Sequence, residues 1–249
     1  ANMAFVPVQV SIMENAQTTT WYLAKGSTLS ADQRPSLAEG DVLVDANNTV
    51  IDPASHVFDE DTTLRVIPAT LPFTDVADSD WFYGPVGFVY SQGLMTGTSA
   101  TTFEPNTHLS RAMLVAVLHR LEGSPAASAG DFSDVAEGDW YAEAVNWAAS
   151  VGVVNGFDDG TFQPNAAITR EQLAAILRNY AEYKGLDVSA SGDLSAYTDA
   201  NSVSDWAKES MQWAVGEGLI GGYEDSTLRP QGNTTRAEAA SVLQRYLAK

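Results

Sequence analysis

The first seventy residues alternate apolar and polar positions with a period of two. In VPVQVSIM the apolar positions are Val6, Val8, Val10 and Ile12, the pattern of a strand with one buried face. TTTWYLA, DVLVDA and TTLRVIPA are further strand candidates, with Asn47-Asn48 as a turn. No segment there carries a convincing helical period. Residues 1–70 are therefore expected to form a small, mostly-β module of β-grasp or sandwich type, joined onward through Pro68 and Pro72. Beyond that point the period lengthens. Trp140, Val145, Trp147, Ala148 and Val151 share a helical face after a candidate N-cap at Asp139 and before a stop at Gly152. Leu173, Ile176, Leu177 and Tyr180 follow Thr169 in the same way.

The helical pattern occurs three times. Copies begin at Phe73, Phe132 and Tyr197, and from Trp81, Trp140 and Trp206 onward their spacing is identical. Glycines follow at +12 (Gly93, Gly152, Gly218) and +16 (Gly97, Gly156, Gly222), an apolar residue at +22 (Phe103, Phe162, Leu228), proline at +24 (Pro105, Pro164, Pro230) and arginine at +30 (Arg111, Arg170, Arg236). Each copy reads as helix, loop, helix. The loop is a Gly/Asp turn and a short extended segment closed by proline. A two-helix unit cannot bury its apolar face alone, so the copies are expected to share one core, packed in quasi-threefold fashion around a central bundle. Thr235 with Glu238, and Thr169 with Gln172, match a capping box; Ser110 with Met113 keeps only half of it.

Composition narrows the choice of partner. Thirteen Lys+Arg face 32 Asp+Glu, a net charge of −19, which opposes a nucleic-acid backbone or anionic lipid as a diffuse partner. Screening over about 8 Å still permits a local cationic pocket to take an anion. There is no cysteine, which removes disulfide, zinc-thiolate and cysteine-nucleophile chemistry together. No apolar run approaches the length of a membrane span, so no membrane insertion is expected. The start, ANMAFVPVQV, shows no charged n-region or cleavage pattern, as befits either a mature or excised fragment or a cytoplasmic chain. No G-x-S-x-G, H-E-x-x-H or P-loop is present, and no enzyme activity or cofactor is expected. His56, His108 and His119 lack ligand spacing, and Asp158-Asp159 lacks the EF-hand series; a turn is expected there and no metal site.

Each +30 arginine sits in the first turn of a helix, where the dipole disfavours a cation by roughly 0.3–1 kcal/mol. On spacing alone two readings stand level. One is an ion pair to the F-x-D aspartate of its own or a neighbouring copy (Asp75, Asp134, Asp199). The other is an anion site, in which the guanidinium fork and the helix N–H groups meet a carboxylate. The Trp140/Trp147 and Trp206/Trp213 pairs, with Trp81/Phe88, read first as core, and at most the first member of each edges a pocket. The +16 glycines read first as turn residues and second as close approaches to a ligand.

These repeats resemble surface-layer homology domains. The likeness lies in F-x-D-V (Phe132 to Val135), D-W-[YF] (Asp139 to Tyr141), the loop from Gly152 to Pro164 and T-R-A-E (Thr235 to Glu238), and covers roughly residues 73 to 249. It implies a mainly-α fold, a pseudo-threefold trimer of repeats over 73–122, 132–184 and 197–249 as one structural unit. It also implies noncovalent anchoring to the bacterial cell wall through an acidic, typically pyruvylated, secondary cell-wall polysaccharide. The location would be extracellular, at the wall or S-layer, within a larger surface protein. Grooves would lie between repeats, with the T-R-A-E arginine on the acidic sugar. The binding set carried over is Arg111, Arg170, Arg236, Asp75, Asp134, Asp199, Trp81, Trp140, Trp206, Gly97, Gly156, Gly222, Gln172 and Glu238. Copy one departs from the pattern with LSRAM and GTSATTF, copy three with YTDA and EDSTL. The rival reading is a helical-repeat scaffold for protein interaction, in which the three arginines are dispensable.

Overall fold

The computed structural model describes residues 7–14, 17–39, 41–47, 49–67 and 70–247. Val6, Asn48 and Pro68, named in the expectations above, lie outside them. The chain divides into two compact units, Ala1–Pro105 with Leu247–Lys249, and Asn106–Tyr246.

The first unit is built on β1 (Pro7–Glu14), β2 (Gln17–Ala24), β3 (Val42–Val44), β4 (Val50–Ile51) and β5 (Thr62–Ile67). They form one mixed sheet in the order β2-β1-β5-β3-β4, with β1 and β5 parallel and the other pairs antiparallel. The period-two pattern has its expected consequence. Val8, Val10 and Ile12 are buried and meet Leu23, Leu43, Leu64 and Val66 in a core that Leu29 and Phe58 complete. A single sheet stands where a two-sheet sandwich was the alternative. Along β5, Arg65 lays its guanidinium over the Phe88 ring, 4.8 Å from the centroid, which fixes α1 (Tyr83–Ser91) against this unit.

The second unit holds α2 (Arg111–Leu121), α3 (Ala142–Ser150), α4 (Arg170–Tyr183), α5 (Lys208–Gly216) and α6 (Arg236–Leu247). The mainly-α, threefold helical bundle expected for the chain is not what folds. About 30% of the chain is helical, in six helices of nine to fourteen residues, beside a five-stranded sheet; only the β part matches. The reason lies in the loops. Each first helix ends two residues before a left-handed glycine, Gly93, Gly152 or Gly218, and the segments entering the second helices meet through backbone. Leu109 N–H donates to Thr234 O, Thr234 N–H to Ile168 O, and Ile168 N–H to Leu109 O, at 2.8–2.9 Å, closing a cycle. A second tier follows: Arg111 N–H to Ala166 O, Arg170 N–H to Gly232 O, Arg236 N–H to Thr107 O. The first orphan donor of each second helix is thus satisfied by another copy.

Local signals divide similarly. Thr169 and Gln172 form the full capping box of α4, and Thr235 and Glu238 exchange both bonds at α6. Ser110 accepts from Met113 N–H without the return bond. Asp139, expected as an N-cap, instead accepts from Ala136 N–H in the turn before α3, and the helix begins three residues later, at Ala142.

Candidate functional site

The loops come first, because they position everything else. Asp134 accepts from the N–H groups of Phe162 and Gln163, both at 2.8 Å. Asp75 does the same for Phe103 and Glu104, and Asp199 for Leu228 and Arg229. The second residue in each case is left-handed, with φ of 57°, 54° and 50° for Gln163, Glu104 and Arg229. A carboxylate across the loop holds a backbone turn that a non-glycine residue resists. Of the two level readings, the ion pair from these aspartates to Arg111 or Arg170 does not occur among the described residues. Ion pairs among the described residues join Arg178 to Glu182 and Glu209, Lys184 to Glu122, and Arg229 to Asp225. Gly97, Gly156 and Gly222 serve the same loops. A Cβ there would strike the ring of Phe73, Phe132 or Tyr197; only Gly156 of the three also has a positive φ, 71°.

The arginines reach across copies. Arg111 donates from Nε to Phe162 O at 2.9 Å and lies over the rings of Phe157 and Phe162, 4.7 Å from each. Arg170 donates from Nε to Leu228 O at 2.7 Å and from Nη2 to Gly221 O at 2.6 Å, over the Tyr223 ring. Arg236 is equally buried, with Nη1 3.8 Å from Met113 Sδ. Burial pushes the Arg111 guanidinium down to about 10, against the opposing pull of Asp134; it stays charged at neutral pH. Each of Arg111 and Arg170 therefore spends one or two N–H groups on the next copy's carbonyls and has no ion-pair partner among the described residues. That bridging was not foreseen from sequence, where backbone acceptors leave no mark.

One groove of about 660 Å³ in the second unit collects several of the expected residues. Arg111, Gly156, Gln172 and Trp206 line it, one from the first copy, two from the second and one from the third. Arg178, Asn179 and Glu209 also line it and were not anticipated. Asn179 was legible in principle, seven residues past Gln172 on the same face of α4, and Arg178 lies three residues past the groove residue Ala175. Trp206 is 61% exposed while Trp213 is buried. Trp140 and Trp147, and Trp81 and Phe88, divide in the same way, so the first member of each pair is a surface ring and the second a core residue. Arg170 shares its surroundings with the loop of Gly222 instead of this groove. The side chains of Gln172 and Glu238 are engaged in their capping boxes, and Glu238 also accepts from the Tyr223 hydroxyl at 3.0 Å. Asp75, Trp81 and Gly97 belong to the other unit. Asp159 accepts from Thr161 N–H and Oγ1 as a turn, and no metal-holding group of three His, Cys, Asp or Glu occurs among the described residues. No helix among them is long and apolar enough to cross a membrane.

Tandem copies that exchange backbone bonds, with arginines at one register reaching from copy to copy, define a repeat module. The chain belongs to the S-layer homology domain family, whose model matches residues 72–112, 131–174 and 196–240. It is 35% identical over 182 residues to an amylopullulanase of Thermoanaerobacterium thermosulfurigenes, covering 71% of this chain and 10% of that protein. It is 31% identical over 196 residues to a surface-layer 125 kDa protein of Lysinibacillus sphaericus, covering 75% and 16%. With a cellulosome-anchoring protein of Acetivibrio thermocellus the identity is 28% over 160 residues, covering 62% and 35%. The matched region is thus about a tenth to a third of the length of these relatives.

Proposed function

We propose that this chain is a noncovalent cell-wall anchor that binds an acidic, pyruvylated secondary cell-wall polysaccharide at the bacterial surface. The observation that carries the reading is the pair of buried guanidinium groups, Arg111 and Arg170, set between copies without an ion-pair partner among the described residues. A charge-assisted hydrogen bond to a sugar carboxylate is worth about 1.5–3 kcal/mol, more than the roughly 0.3–1 kcal/mol dipole cost of a cation in the first turn. The groove on Arg111 offers Trp206 as a platform. Arg236 supplies the equivalent position in the third copy. Weak sites along one polymer act together and raise avidity well above a single site.

The names of the relatives support the anchoring role, one as a cellulosome-anchoring protein and others as surface-layer proteins. The amylopullulanase shares only 10% of its length with this chain, so its catalytic name attaches to its other regions; here the role is attachment and not catalysis. Residues 73–249 form the anchor, and the β module is a spacer or part of what is displayed within a larger surface protein. Co-sedimentation with purified wall sacculi tests this. The chain pellets with native sacculi and stays in the supernatant once the secondary polymer is chemically stripped; undiminished binding to stripped walls would remove the polymer as the receptor.

A further inference from the structure

The groove on Arg111 contains a second arginine in a different electrostatic condition. Arg178, on α4, donates from Nη2 to Glu209 at 2.7 Å and lies 3.2 Å, Nη1 to Oε1, from Glu182. Its Nε is buried and makes no hydrogen bond. Its side chain is only 16% exposed, whereas that of Glu209 is 77% exposed. Glu209 reaches across from the third copy, and both residues line the groove; the other charged groups there are Arg111 and Asp158.

We propose that Arg178 is a second anion subsite of this groove, masked by Glu209 until ligand enters, and that the groove therefore takes a saccharide stretch bearing acidic groups on more than one sugar. This deepens the wall-polymer reading and rests on it. Three observations support the exchange. Glu209 is largely in solvent, so holding it on Arg178 gains little over its hydration, an exposed pair being worth about 0–1 kcal/mol, and a ligand carboxylate can take its place. Glu209 lies in the first turn of α5, where the helix dipole stabilises its carboxylate after Arg178 is withdrawn. The groove's 660 Å³ falls in the range that encloses a drug-sized ligand and not merely a small ion. Arg111 is the fixed cation, held by the Phe162 carbonyl and two rings; Arg178 exchanges Glu209 for the ligand at Nη2 while Nη1 keeps Glu182.

A purely structural strut makes the opposite prediction for Glu209. If the Arg178–Glu209 pair only fastens the second copy to the third, losing either partner weakens the groove. If Glu209 masks a subsite, losing it helps. Isothermal titration of the full chain with polymer released from sacculi separates the two. Arg178→Gln is expected to weaken binding about tenfold, and Glu209→Gln to tighten it about threefold, with unchanged melting curves. Weaker or unchanged binding by Glu209→Gln overturns the subsite. Because Glu209 is at the surface, that variant remains informative even if Arg178→Gln folds poorly. Arg111→Gln is the control. If it too binds the polymer as well as the parent chain, the polymer reading of the groove has failed along with the subsite. If only the Glu209 result fails, the anchor stands with one anion site.

Discussion

Asp134 shows what a single side chain does here. It is close enough to Arg111 to act on its charge, and charge alone suggests a counter-ion. Its two oxygens are instead taken by the N–H groups of Phe162 and Gln163, 28 and 29 residues away. Sequence could not display that, because the donors are backbone and look the same in every residue. Arg111 was legible from its register, thirty residues after a Trp in each copy, but its Nε bond to Phe162 O was not, for the same reason. Asp134→Ala should therefore lower stability by about 2–3 kcal/mol, two hydrogen bonds to a charged group being lost and a left-handed Gln163 left unsupported. Chemical denaturation measures this. A loss under 0.5 kcal/mol would mean that the loop holds its shape without the carboxylate.

Helix starts were the most legible elements. A hydroxyl three residues before Gln or Glu is a local signal, and at Thr169 and Thr235 it forms as expected because both partners lie within one turn. Asp139 misled for an equally local reason: its carboxylate finds Ala136 N–H in the preceding turn before a helix is available. The entering segments also carry what no helix pattern reveals, the cyclic bonds among Leu109, Ile168 and Thr234. Removing the α4 cap with Thr169→Ala should cost about 1 kcal/mol. The same change at Ser110, which has only one of the two capping bonds, should cost less. Thermal melts of both variants rank them, and a larger loss at Ser110 would contradict the assignment.

Across the whole molecule, the repeats were visible and the fold they make was not. Periodicity reports which face of a helix or strand is buried, and its period of two marked the β module, but it does not show that copies join by backbone bonds between loops. Charge acts at this scale too. The ordinary carboxyl value is lowered at Asp159 by the Thr161 hydroxyl, at Asp225 by the Thr227 hydroxyl and at Asp52 by the Ser55 hydroxyl. A carboxylate whose folded value is depressed stabilises the fold fully above its unfolded value near 3.9, and loses that contribution as pH falls through the folded value. Protonation of the other acids meanwhile relieves the repulsion of a −19 chain. Melting temperature should hold or rise slightly from pH 7 to about pH 5 and fall below about pH 4. Calorimetry showing a continued rise to pH 3 would mean that repulsion outweighs the turns. The central claim is that buried arginines between copies grip an acidic wall polymer. Its most direct test is retention on native sacculi of a chain carrying Arg111→Gln, Arg170→Gln and Arg236→Gln together, with folding verified by circular dichroism. The account predicts that the folded triple variant stays in the supernatant while the parent chain pellets; a folded triple variant that pellets as fully as the parent would contradict it.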